Sequence, residues 1–162
     1  MSLLSLPDRE LRAALRDFND DYGGCLDDGD LERWPDFFVE QCRYRVLSKE
    51  NHDAGLPLSL IYCDGRGMLL DRVMALREST VYEPRSLRHF FSSTRITARA
   101  EDGITVQSNF LIIESLSDRE PTVNLVGRTL DTFVEAEGRL LLRDRWCVVD
   151  NYRIRTSLII PV

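Results

Sequence analysis

Two histidines, His52 and His89, are the whole imidazole supply of this 162-residue chain. A non-haem iron facial triad takes two histidines and one carboxylate. Both would have to converge here, with Asp53 or Asp71 completing the set. His52 falls in a polar stretch, and His89 sits between Arg88 and Phe90 in a strand-like run. No H-x-x-x-H or H-E-x-x-H spacing links them, so the expectation is two unrelated structural histidines and no metal site. The cysteines Cys25, Cys42, Cys63 and Cys147 form no C-x-x-C pair. That spacing speaks against zinc or iron–sulfur ligation and for reduced, mostly buried thiols. There is no G-x-S-x-G elbow for a nucleophilic serine. Gly65-Arg66-Gly67 is a turn without the further glycine or Lys-Ser/Thr of a phosphate cradle.

Acid–base chemistry is the remaining class. A helix-plus-curved-sheet fold can enclose an apolar pocket in which burial tunes one Asp, His or Tyr into a general acid or base. The candidates are Tyr22, Tyr44, Asp71, His89 and Asp131. The plainer reading makes Tyr22 and Tyr44 core aromatics with bonded hydroxyls. It makes Asp71-Arg72 a solvated helix pair and Asp131 a strand-edge charge. On that reading no catalytic, cofactor-binding or metal residue is assigned to this chain.

The elements that must position these residues follow from periodicity. Leu11, Leu15, Phe18, Tyr22 and Leu26 lie on one helical face, started by Pro7-Asp8 and stopped by Asp27-Asp28-Gly29-Asp30. A short second helix is predicted over Leu31 to Phe38, a strand around Cys42 to Val46, a polar loop over Ser48 to Pro57 and a brief strand or turn over Ser59 to Cys63. A third helix runs from Met68 to Ser79 with Leu69, Val73 and Leu76 inward. Four long β-type runs follow, about 87–99, 104–116, 122–135 and 139–150, joined by hairpin signals such as Glu101-Asp102-Gly103. Helices first and a meander last is an α+β order, with N-terminal helices packed on a curved, mostly antiparallel sheet.

Alternation in these strands is poor. Val106, Phe110 and Ile112 oppose Leu111 and Ile113, and Val126, Leu130 and Val134 oppose Val123, Leu125 and Phe133. Either the second face meets a partner surface, or bulges shift the register within long bent strands. The apolar tail from Ser157 to Val162 adds to the partner reading.

Composition bounds the rest. At 162 residues the chain is expected to be one domain, 1–162, able to form a core without disulfide or metal. A net charge of −6 leaves no general attraction for nucleic acid. The longest apolar runs, Phe110 to Ile113 and Leu158 to Val162, are far below the roughly 20 residues of a membrane span. The acidic start of the chain does not read as a signal peptide, so a cytoplasmic location is expected.

Four blocks, in order, resemble the small (β) subunits of aromatic-ring-hydroxylating dioxygenases. They are Trp34-Pro-Asp-Phe-Phe-Val-Glu-Gln-Cys-Arg-Tyr44, Met68-Leu-Leu-Asp-Arg-Val73, Glu83-Pro-Arg-Ser-Leu-Arg-His89, and Val148-Val-Asp-Asn151 followed by Ser157-Leu-Ile-Ile-Pro161. The resemblance implies a fold similar to nuclear transport factor 2, a cone of helices in a bent sheet. It implies a large α subunit as partner, bearing a Rieske [2Fe–2S] cluster and a mononuclear iron, and a homotrimer of β subunits within an αβ hexamer. It implies a structural role, with electrons from NAD(P)H and O₂ used by the complex on an aromatic ring. Arg45 to Asn51 with Leu60 to Asp64 looks closest to members acting on carboxylated rings. The alternative is a stand-alone pocket enzyme of the same fold, a dehydratase or isomerase using a buried Asp, His or Tyr.

Overall fold

The computed structural model describes residues 2–154 and 158–162. Helix α1 spans Asp8–Asp27, with Leu11, Leu15, Tyr22 and Leu26 buried on the face their spacing marks out. Asp8 and Glu10 in its first turn complement the helix dipole. Gly23-Gly24 does not end it. A Cβ at Gly23 would stand 3.2 Å from the Cβ of His89, so glycine there permits close approach to the sheet. A 3-10 turn over Leu31–Phe37 then leads into β1, Phe38–Ser48.

The stretch after β1 is not simply a polar loop. Ser48 caps a short helix, α2 (Lys49–Asp53), by accepting a 3.2 Å hydrogen bond from the Asn51 amide. That local cap, which hydrophobic periodicity does not mark, is what turns a polar run into a helical turn. Strand β2 (Ile61–Asp64) and helix α3 (Arg66–Glu78) follow, the latter burying Leu69, Val73 and Leu76. Strands β3 (Arg85–Ala100), β4 (Gly103–Leu116), β5 (Thr122–Ala136) and β6 (Arg139–Val149) complete the chain's regular structure.

The strands form a six-stranded sheet in the order β2-β1-β6-β5-β4-β3. The last four make the antiparallel meander that the hairpin signals predict. The parallel pairing of β1 with β6 is a long-range join that periodicity does not reveal. Arg43 and Asp144, opposite each other in that register, form a 2.7 Å ion pair.

Strands of 14 to 16 residues are too long to stay flat over a small core, and this sheet bends at bulges. Register shifts fall between Ser92 and Arg95, where Ser93 has φ 55°, between Ile96 and Ala98, and between Ile112 and Ile113. The last of these pairs Ile112 with Leu125 but Ile113 with Val123, which carries Val123 to the outer face. The concave face takes Val106, Phe110, Ile112, Leu125, Phe133, Leu142 and Cys147, all buried. A bulge thus accounts for Val123, and the outer face still keeps Leu111, Ile113, Val126 and Leu130.

The apolar tail does not reach outward. Ile159 and Val162 are buried in the chain's own core, Val162 completely. The tail instead completes the interior of the cone, where apolar wall space and hydroxyl donors receive it. No helix among the described residues is long and apolar enough to cross a membrane.

Two outcomes are expected. A Cβ at Gly127 would lie 2.0 Å from the Val148 carbonyl oxygen and 3.0 Å from Phe110 Cζ. Gly127→Ala is therefore expected to destabilise the chain by about 3 kcal/mol in urea melts, through overpacking between β5 and β6. Arg77 on α3 donates 2.7 and 2.9 Å hydrogen bonds to Glu32, which hold the Glu32 carboxyl down at about 2 from its ordinary 4.5. A depressed carboxyl stabilises the fold above its unfolded value and loses that contribution as pH falls toward the folded one. Glu32→Gln should thus be less stable than the native chain at pH 7, with the difference vanishing between pH 4.5 and 2.

Candidate functional site

The interior of the cone is where the sequence candidates meet. Tyr22 comes from α1, Tyr44 from β1, His89 from β3 and Asp131 from β5, while Asp71 is exposed on α3 and stands apart. Asp71 lines the rim of a surface groove of about 480 Å³ between β2, α3 and the tail, with Leu60, Tyr62 and Met68. Its neighbour Arg72 is not merely a solvated charge. It donates hydrogen bonds of 3.0 and 3.4 Å to the carbonyls of Leu158 and Ile159.

Asp131 is not a strand-edge charge. The β5–β6 register sets it directly opposite Arg145, and both side chains are fully buried. Arg145 Nε donates to Asp131 Oδ1 at 3.0 Å and Nη2 to Oδ2 at 2.9 Å, a bidentate pair. Thr129 Oγ1 donates to Asp131 Oδ2 at 2.9 Å. Arg145 Nη2 also reaches Asn19 Oδ1 at 2.8 Å, and Asn19 Nδ2 reaches Ser108 at 3.4 Å, which in turn donates to Thr94 at 3.1 Å. The guanidinium lies 4.2 Å from the Tyr22 ring centroid and 5.4 Å from that of Phe91. Burial opposes the charge on Arg145, but the Asp131 carboxylate and its other neighbours together more than offset burial and hold the guanidinium above its usual value. Sequence reasoning passed over Arg145. The available signal was its phase: Arg145 alternates with Cys147 just as Asp131 alternates with Thr129 and Phe133, all facing inward.

His89 is structural in its contacts. Its side chain is buried, its Nδ1 lies 2.6 Å from Asp27 Oδ1, and its Nε2 lies 3.2 Å from the Pro161 carbonyl oxygen. The backbone amide of His89 also donates to Asp27. His52 is in α2 beside Asp53, with no bond to this cluster among the described residues. Both His89 nitrogens are thus committed to oxygen atoms, and among the described residues no three His, Cys, Asp or Glu side chains group as metal ligands. The donor set does not fit a Rieske cluster or a mononuclear iron.

Trp34, Tyr22 and Tyr44 pack edge to face with Phe37 and Phe38, with Trp34 and Tyr44 centroids 5.2 Å apart. Trp34 Nε1 donates to Tyr22 Oη at 2.9 Å, and Tyr22 Oη donates to the Val162 carbonyl at 2.8 Å. Burial raises both tyrosine hydroxyls well above their ordinary values, so they serve as neutral hydrogen-bond partners and not as proton carriers. Burial likewise pushes the Cys147 thiol up to about 12 and those of Cys25 and Cys42 to about 11. All four cysteines are free and buried. The interior as it stands is built to hold itself together, since Arg145 faces Asp131 and His89 faces Asp27.

A family model for the ring-hydroxylating β subunit matches residues 24–156. The small subunit of anthranilate 1,2-dioxygenase from Burkholderia cepacia is 36% identical over 141 residues, covering 87% of this chain and 88% of that protein. The chain belongs to the ring-hydroxylating dioxygenase β-subunit family. Subunit β2 of the terminal oxygenase component of terephthalate 1,2-dioxygenase from Comamonas is 32% identical, over 90% of this chain and 94% of that one. The crystal structure of a β subunit assigned to an aromatic-ring-hydroxylating dioxygenase of Novosphingobium aromaticivorans superposes with a TM-score of 0.85. It is 38% identical and covers 93% of this chain and 95% of its own. The architecture is the nuclear transport factor 2-like cone of these β subunits.

The internal ion pair of this β subunit is open to a direct test. Asp131→Ala leaves Arg145 buried without its counter-charge and should cost about 3–5 kcal/mol in denaturant melts. The double variant Asp131→Leu/Arg145→Met should lose far less than the sum of the two single changes.

Proposed function

We propose that this chain is the structural β subunit of a Rieske-type aromatic-ring-hydroxylating dioxygenase, assembling with an iron-bearing α subunit in aromatic compound catabolism. The single observation that carries the assembly reading is the outer face of the sheet. Phe90, Leu111 and Val126 stand in one cross-strand row, and Arg88, Ile113 and Val123 in the next. Phe90 is 54% exposed, Val123 50% and Val126 40%. Adjoining apolar side chains on one sheet face, bordered by arginine, are the pattern of a surface that another subunit covers.

The fuller arrangement is a trimer of β subunits within an αβ hexamer, in the cytoplasm and active as a single domain over 1–162. The α subunit holds the [2Fe–2S] cluster and the mononuclear iron, which supply electron transfer and O₂ activation when present. This chain contributes no catalytic, cofactor-binding or metal residue and shapes the assembly. The two curated relatives are named for anthranilate and terephthalate, both aromatic carboxylates, which supports a carboxylated ring as substrate class.

Co-expression with a ring-hydroxylating dioxygenase α subunit from the same source should yield a co-purifying complex of higher mass than the lone chain by size exclusion with light scattering. Phe90→Asp/Val126→Asp should abolish that complex while shifting the chain's own stability by only about 0.5 kcal/mol per surface site. His52→Ala should leave the iron content of the complex unchanged. Steady-state conversion of a small molecule by the pure lone chain, or an unaltered complex from the double variant, would overturn the reading.

A further inference from the structure

The segment Leu158–Val162 is held in an unusual way. Among the described residues its backbone hydrogen-bonds to side chains and not to the backbone of a neighbouring strand. Arg72 reaches the carbonyls of Leu158 and Ile159 at 3.0 and 3.4 Å, and His89 Nε2 that of Pro161 at 3.2 Å. The Val162 amide donates to Tyr44 Oη at 2.8 Å. The Val162 carbonyl accepts from Tyr22 Oη at 2.8 Å and Tyr44 Oη at 3.3 Å, with Cys147 Sγ at 3.8 Å. These groups come from α1, β1, α3, β3 and β6, five elements converging on five residues.

The hydroxyl directions are forced. The Trp34 indole can only donate, so Tyr22 Oη accepts from it and must pass its own hydrogen on to Val162. The Val162 amide occupies Tyr44 Oη as acceptor, which leaves the Tyr44 hydrogen for the same carbonyl. Burial keeps both phenols and the Cys147 thiol protonated, so three donors face one oxygen. Beneath Tyr22 lies the Arg145 guanidinium, whose buried Nη1 has no hydrogen-bond partner among the described residues. An apolar, aromatic-walled interior with a few convergent polar groups is how a pocket recognises a small molecule, whereas a plain core is filled by apolar side chains alone.

We propose that the cone is a ligand site held shut from within: residues 158–162 occupy it as a displaceable internal ligand, and a short branched aliphatic carboxylate takes their place. The convergent donors select an oxygen acceptor and favour an anionic one. The space of the fully buried Val162 side chain, in the same core as the aromatic cluster, selects a branched apolar body. A tethered occupant competes at an effective concentration in the millimolar range, so the intact chain binds such an acid weakly and a chain without the segment binds it tightly. This site is separate from the outer assembly face, and its test does not require the large subunit.

The test compares the full chain with a variant ending at residue 157, using 3-methylbutanoate and the synthetic peptide Leu-Ile-Ile-Pro-Val as probes. In the shortened variant both probes should raise the melting temperature saturably and compete with each other, with 3-methylbutanoate binding at least about tenfold tighter than to the full chain. A folded shortened variant that binds neither probe overturns the proposal. If shortening prevents folding, Arg72→Ala in the full chain loosens the segment while keeping the tyrosines. Labelled-tyrosine NMR should then show Tyr22 and Tyr44 shifting with 3-methylbutanoate at about tenfold lower concentration than in the native chain. The absence of any saturable shift in Arg72→Ala equally overturns it.

Discussion

The buried bidentate pair of Arg145 and Asp131 is the constraint around which the interior is arranged. Two charges taken out of water cost several kcal/mol each unless geometry and further hydrogen bonds offset the loss. Here the offset is drawn from five elements. β5 and β6 supply the pair and Thr129, α1 supplies Asn19 and the face of Tyr22, β4 supplies Ser108, and β3 supplies Thr94 and Phe91. A slip of one residue in the β5–β6 register would send Asp131 and Arg145 to opposite faces and leave a buried charge unmatched. A shift of α1 along the sheet would strand Arg145 Nη2 without Asn19. The pair thereby ties the buried charge to one register and one helix position.

In that interior the groups that acid–base chemistry would use already have partners. The tyrosines are spent on holding residue 162, His89 is spent on Asp27 and Pro161, and the carboxylate of Asp131 is neutralised by Arg145. The stand-alone enzyme reading needs a group of this kind free to move a proton toward open space. The outward apolar rows, by contrast, stay exposed, so the two faces of one sheet differ in kind: one is closed by the chain's own groups and the other is open.

Much of this was legible in local pattern. The face of α1, the inward residues of α3 and the four-strand meander follow from spacing and turn residues, because each is set by contacts near in sequence. The four motif blocks were enough to mark the family. The short helix α2 was missed because its cause is a single Ser48 cap in a polar run. Asp131 was misjudged because a charged residue in a strand is usually at an edge, and only its partner 14 positions later makes burial tolerable. Ser157, included in the tail motif, lies outside the described residues.

By itself the sequence determined the class of fold and the order of its main elements. It did so because hydrophobic periodicity and turn residues are local signals. Only the tertiary structure decided that β1 runs parallel beside β6, that Arg145 meets Asp131, and that the tail folds inward and not toward a partner. Those outcomes depend on which groups apart in sequence satisfy one another once water is excluded, and periodicity along the chain does not say which residue meets which.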